Sequence, residues 1–158
     1  MTDWIVVGKC DVRARGLADR HYSRQTKRSP QFTRPGNNLV LLIQDCSAVW
    51  VTWKPATGIK RMDGMAGFYE CVLFRNEGKE LSSKLILSAM ELTESIWGKP
   101  LGWLTYIKAS AVASVNPGYC YKCAGYKVAG SSSKGLIKLV SAVKEIRLRQ
   151  GFQSKGYE

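Results

Sequence analysis

Two apolar runs, NLVLLIQ at residues 38–44 and AVWVTWK at 48–54, are separated only by Asp45-Cys46-Ser47. Each has the length and the Val, Ile, Leu and Trp content of a β-strand, and three turn residues between them leave room only for an antiparallel reversal. This hairpin constrains what the remaining segments can build. A doubly wound nucleotide fold alternates strand and helix throughout, and a chain of 158 residues with hairpins of this kind is too short for one.

The other segments read in order around the hairpin. WIVVGKC at 4–10 is a short buried strand. A helix over 11–22 follows, with Asp11 as its N-cap and with Val12, Leu17 and His21 or Tyr22 on one side. Residues 23–38, with Pro30, Pro35, Gly36 and two asparagines, form a long loop of the kind that usually carries function. FYECVLFR at 68–75 is a strand, and NEGKEL leads into a helix over 82–97. There Leu85, Ile86, Ala89, Met90, Ile96 and Trp97 recur with the 3.6-residue period. WLTYIKA at 103–109 is a strand, 117–124 a short helix, YKVAG at 126–130 and LIKLVSA at 136–142 the last two strands. The expected fold is a single α+β (mixed α/β) domain over 1–158, with a basic loop at 23–38 and a basic C-terminal tail from Lys144.

The formal net charge is +12. A field of that sign attracts polyanions, and nucleic acid leads among them. The charge is clustered: RHYSRQTKRSPQFTR at 20–34 holds five basic residues and no acid. No run reaches membrane-spanning length and the N-terminus lacks a signal-peptide pattern, so no membrane partner and a cytoplasmic location are expected. Five cysteines, an odd number, fit a reduced chain, with Cys10, Cys46 and Cys71 as small core or boundary residues.

Two stretches can carry chemistry. In RNEGKELSS at 75–83 a strand passes through a Gly-bearing loop into a helix, which gathers free N–H groups and the helix dipole for a phosphate. Arg75 and Lys79 add charge, and Ser82 or Ser83 can cap; a plainly capped helix is the alternative. The second stretch is NPGYCYKCAGYKVAG at 116–130. Its Cys120-x-x-Cys123 pair lacks the partners of a zinc site, because the chain has one histidine and no second cysteine pair. The pair reads as structural, and Asn116 as a helix cap. His21, that single histidine, can serve as a general base, as a metal ligand, or as a helix-end residue interacting with the dipole. Tyr22 can stack on a base or edge the core.

Tyr121-Lys122-Cys123-Ala124-Gly125-Tyr126, preceded by Asn116-Pro117-Gly118 and followed by a strand, resembles the late segment of the GNAT N-acyltransferase superfamily. Its upstream loop, RNEGKEL, retains one glycine of the family's pyrophosphate-binding pattern. RHYSR, LFRNEG…SS and NPGYCYKCAGY together, over residues 18–140, resemble the Mom-like phage proteins, divergent GNAT-fold enzymes that modify DNA bases. The resemblance implies a central, mostly antiparallel sheet splayed in its middle and flanked by helices. It implies a DNA-modifying transferase that adds a small acyl or carbamoylmethyl-type group to an exocyclic amine, foremost adenine N6, in a phage-infected cell; a GNAT acetyltransferase acting on a protein or small amine, or an inactive DNA-binding relative, are the alternatives. Catalysis then falls on His21, Tyr22, Ser23 and Tyr121. Acyl-CoA (acetyl-CoA) falls on Phe74, Arg75, Asn76, Gly78, Lys79, Ser82, Ser83 and Asn116. Double-stranded DNA falls on Arg20, Arg24, Lys27, Arg28 and Arg34. The resemblance requires a small-molecule group donor, leaves iron and the catalytic acid unassigned between Asp45 and Asp63, and admits a homodimer.

Overall fold

The computed structural model describes residues 3–24, 29–112 and 116–141. Strands β1 (Trp4–Val7), β2 (Asn37–Ile43), β3 (Ala48–Lys54), β4 (Phe68–Asn76), β5 (Gly102–Ile107), β6 (Lys127–Ser131) and β7 (Ile137–Ser141) form one sheet. Its order is β1-β2-β3-β4-β5-β7-β6. Every neighbouring pair is antiparallel except β4–β5, which is parallel. A parallel pair needs a crossover, and helix α2 (Ser82–Trp97) supplies it. Helices α1 (Val12–Ala18) and α3 (Tyr119–Cys123) complete the fold.

The hairpin expected at 38–54 is present, with Leu41 opposite Trp50 and Val40 opposite Val51. Its strands are apolar at successive positions because both faces are covered. On one face Leu39, Leu41, Trp50, Tyr69, Trp103 and the inner side of α2 pack together. On the other, Val40, Leu42, Val49, Val51 and Leu73 meet Ala14, Leu17 and Ala18 of α1. Trp50 is fully buried, meets Phe74 and Trp103 edge-on, and donates its indole N–H to Thr52 Oγ1 at 2.7 Å. A large aromatic with a satisfied polar handle fixes the centre of the sheet.

Several boundaries differ from the sequence expectation. Asp11 caps α1 as expected, its carboxylate accepting from the N–H groups of Arg13 and Ala14, but the helix ends at Ala18, not at 22. The chain turns there because Asp19 is drawn to Arg24 Nε at 2.7 Å and Arg20 to Glu77, which bends residues 20–24 back toward β4. β2 starts at Asn37, inside the expected loop. Asn116 is not the N-cap of α3; Gly118, in the left-handed region at φ 75°, holds that position. Cys10 is exposed, Cys46 half-buried and Cys71 buried, and all five cysteines are free. Lys27, Arg28 and the tail from Lys144 lie outside the described residues.

Candidate active site

The sheet opens between β4 and β5. Only Phe68–Cys71 pair with Gly102–Thr105. Beyond that point the rest of β4 stays with β3, while Tyr106 and Ile107 of β5 pair with Lys138 and Ile137 of β7. Thr105 Oγ1 donates to the Cys71 carbonyl at 2.8 Å and closes the apex of the split. Just past the apex, Leu73 faces Val51 and Cys71 faces Thr52, so Val72 is an extra residue with no counterpart on β3. A bulge of this kind turns a strand's backbone groups away from their ladder, and bulges recur beside active sites.

Three of the expected catalytic residues meet at this split. Tyr121 is buried, with its hydroxyl 3.4 Å from Cys71 Sγ and its ring edge-on to Phe74 and Tyr126. Burial first, then the neighbouring thiol, holds its hydroxyl protonated well beyond the ordinary tyrosine range. Burial likewise pushes the Cys71 thiol up. Tyr22 is 39% exposed, and its hydroxyl is near the Lys108 backbone N–H just past β5. Burial raises its phenol, and the Cys71 and Cys120 thiols are within electrostatic reach. His21 stacks on Tyr22 with ring centroids 4.3 Å apart.

Desolvation, with Arg75 nearby, lowers the His21 pKa to about 4. Its Nδ1 accepts the Ser23 N–H at 3.1 Å and lies 2.7 Å from Ser23 Oγ. A neutral ring whose Nδ1 accepts carries its proton on Nε2. The free nitrogen of His21 is therefore a donor in this arrangement, and its low basicity suits it to hydrogen bonding more than to proton abstraction.

At the far end of β4 lies the loop expected to cradle a phosphate. The Asn76 side chain donates to the Glu80 carbonyl at 2.8 Å and to Ser82 Oγ at 2.9 Å, and accepts from Gly78 N–H at 2.9 Å. Gly78 lies so close to Ser47 that a Cβ would collide with that side chain. The N-cap of α2 is Leu81, whose apolar side chain takes none of the first-turn donors. Glu77 is neutralised by Arg20, at 2.7 and 2.8 Å, and by Arg75 at 2.5 Å; the Arg20 bond first, then Arg75, lower its pKa to about 2. Arg75 also donates to the Arg20 carbonyl at 3.0 Å, fastening the His21 segment to the same strand end. Lys79 and Ser83 stand at the loop and first turn. Asn116 accepts from Lys122 Nζ at 2.5 Å, across α3.

Among the described residues, the three arginines expected on DNA each pair with a carboxylate. Arg20 pairs with Glu77. Arg24 pairs with Asp19, donates to the Ser29 carbonyl at 2.9 Å, and is only 6% exposed in its side chain. Arg34 bonds Glu70 and lies over the Trp53 ring at 4.3 Å. The acids that hold them are distant in sequence or look like ordinary turn residues.

Sequence reasoning missed a buried ionic cluster on the face away from α2. Glu70, 5% exposed on β4, bonds Arg34 and also Arg61 at 2.7 Å. Arg61 holds Asp63 as well, at 2.6 and 2.9 Å, and Tyr106 donates to Asp63 at 2.7 Å. The Arg61 bond foremost pulls the Asp63 carboxyl well below its usual range; burial and Asp63 push the Tyr106 phenol up to about 12. Beside this cluster and the bulge is a cavity of about 390 Å³, whose wall includes Arg24, Gln31, Arg34, Val51 and Val72. Asp45, the other unassigned acid, is instead an exposed residue of the β2–β3 turn. The described residues hold no group of three or more His, Cys, Asp and Glu able to bind a metal ion, and no helix among them is long and apolar enough to cross a membrane.

No protein-family model matches the sequence, and no curated protein matches it significantly. Solved structures do. The aminoglycoside acetyltransferase AAC(6')-Ib in complex with coenzyme A and kanamycin superposes with a TM-score of 0.66 at 13% identity, over 95% of this chain and 99% of that one. The same enzyme with ribostamycin and coenzyme A gives 0.50 at 15% identity, over 70% and 65%. With the parallel pair split at Cys71, the bulge at Val72 and α2 crossing between β4 and β5, this chain has the GNAT-like α+β fold of those acetyltransferases.

Proposed function

We propose that the protein is an acyl-CoA-dependent transferase that acylates an amine. The observation that carries this reading is the split itself: Tyr121 reaches its apex, and the uncapped start of α2 stands at the end of β4 that forms one of its sides. The residues present suit the donor. The first turn of α2, with Ser82 and Ser83, and the loop before it, with Gly78 and Lys79, form a cradle for a pyrophosphate, since the first-turn N–H donors and the helix dipole point there. Asn76 shapes that loop and Glu77 is already neutralised. Bound acyl-CoA supplies the activated acyl group. The Tyr121 hydroxyl, held protonated, is placed to give a proton to a departing thiolate. Tyr22, His21 Nε2–H and the β4 bulge border the space where an acceptor amine approaches. The cavity beside Val72 is the entrance for that acceptor.

The solved relatives are named for aminoglycosides bound with coenzyme A or acetyl-CoA, which favours a small-molecule amine. A nucleobase amine on double-stranded DNA is the second reading, favoured by the net charge of +12. The experiment is release of free thiol from acetyl-CoA with kanamycin, a polyamine, a lysine peptide or duplex DNA as acceptor, followed by mass spectrometry of each acceptor. Acylated amine with unmodified nucleosides supports the first reading, and a heavier nucleoside the second. No acceptor-dependent thiol release from any of the four sinks both.

A further inference from the structure

A second cavity, of about 250 Å³, lies under the loop between β3 and β4. Lys54, Lys60 and Arg61 form its cationic wall, and Ile59, Phe68 and Tyr69 its apolar wall. It sits at the start of β4, whereas the phosphate cradle sits at the end. Eight residues of strand, about 26 Å, separate Phe68 from Asn76. The cavity is thus distinct from the donor cradle, and no residue is shared with the wall of the cavity beside Val72.

Its chemistry points to an anion. No carboxylate is among its lining residues. The two acids that face its Arg61, Asp63 and Glu70, are bonded to that guanidinium, Glu70 to Arg34 as well. Arg61 is 7% exposed in its side chain; Nε and Nη2 are used, but buried Nη1 has no hydrogen-bond partner. A buried guanidinium N–H left without an acceptor is a costly state, relieved when an acceptor oxygen arrives. Lys54 Nζ rests over the Trp97 ring at 4.6 Å and the Tyr69 ring at 5.7 Å, so aromatic faces hold its charge at the rim of this cavity.

We propose that this cavity is a binding site for a small anion with a flat or apolar body, a carboxylate or phosphate monoester. The head group faces Arg61, Lys60 and Lys54, and the body lies on Phe68 and Ile59. Its volume limits the body to about one ring. The site is linked to the presumed acceptor entrance, because Arg61 and Arg34 share Glu70 and lie over the same Trp53 ring, at 5.3 and 4.3 Å.

Isothermal titration calorimetry on the full chain, without any acyl donor, tests the site apart from the transferase reading. Phenyl phosphate and benzoate are the probes, with inorganic phosphate and benzylamine as controls. The expected result is saturable one-to-one binding of at least one aromatic anion, at least tenfold tighter than inorganic phosphate, with no binding of benzylamine. Binding of phenyl phosphate alone identifies a phosphate monoester, and of benzoate alone a carboxylate. Lys60→Ala, at an exposed position that the fold does not need, weakens the bound probe at least fivefold with an unchanged Tm. Failure of both anions to bind, equal binding of inorganic phosphate or benzylamine, or indifference to Lys60→Ala overturns the proposal.

Discussion

The Tyr121 hydroxyl lies 3.4 Å from the Cys71 thiol, and Cys71 is the last residue of β4 still paired with β5. A tyrosine hydroxyl from α3 therefore stands at the apex of the split, its ring meeting Phe74 and Tyr126. Tyr121→Phe keeps the ring and its packing and removes only the hydroxyl. It should lower kcat for thiol release by about 10²–10⁴-fold. Stability should fall by no more than about 1 kcal/mol, because the lost bond is a weak one to sulfur. Stopped-time thiol assays and thermal melts on the same preparation check both halves; a variant that melts normally and turns over at the wild-type rate removes Tyr121 from the chemistry.

His21 gives the pH prediction. Its folded pKa is about 4, lowered from 6.5, so the folded chain binds fewer protons than the unfolded chain between those values. Stability contributed by keeping the ring neutral is fully present above pH 6.5 and is lost as pH falls toward 4. Partial solvent access reduces the contribution to about 1–2 kcal/mol. Thermal melts from pH 7.5 to 4 should show the wild type losing more stability than His21→Gln across that window. Parallel curves for the two proteins would mean that the imidazole is not desolvated.

The sheet and α2 were legible because their signals are local. The β2–β3 hairpin follows from two apolar runs with a short turn, and α2 from the period of Leu85, Ile86, Ala89 and Met90. The split could be anticipated only through resemblance, since nothing in FYECVLFR marks Val72 as the bulge. The end of α1 was not legible because Arg20 finds its acid through the tertiary fold, and no helical period reports that Glu77, 57 positions away, will hold it; the Asp19–Arg24 pair, by contrast, is local. Glu70, Arg61, Asp63 and Tyr106 come from two strands and a loop. Their proximity is a property of the register between β4 and β5, not of any motif. Within the basic run at 20–34, Arg20, Arg24 and Arg34 each pair with a carboxylate, and nothing in the run itself names those acids.

That pairing leads to a prediction on Arg24. Its guanidinium is nearly buried and holds Asp19 and the Ser29 carbonyl, so Arg24→Gln breaks a sheltered pair. The loss should be about 2–3 kcal/mol, since a partner charge is left in a poorly solvated place. Differential scanning calorimetry should register a Tm lower by roughly 5–10 °C. The salt dependence of any DNA binding should be unchanged in the same variant. A contact to phosphate gives the opposite pair of results: an ordinary Tm and a log–log salt slope shallower by about one.

Gly118 connects backbone geometry to the placement of α3 and Tyr121. It occupies the left-handed region at φ 75°, immediately before α3, and a Cβ there would meet the Leu139 side chain, itself fully buried. Gly118→Ala therefore suffers twice, from the conformation and from the collision, by about 1–3 kcal/mol together. Relief comes by moving α3, and Tyr121 moves with it, so the rate should fall by more than the stability loss alone explains. Gly118→Ala combined with Leu139→Val, which removes one methylene from the collision, should restore part of the rate while the conformational part of the stability loss remains. Measuring kcat and Tm for the single and double variants separates the two effects. Full activity in a destabilised Gly118→Ala protein would show that the placement of α3 does not govern Tyr121.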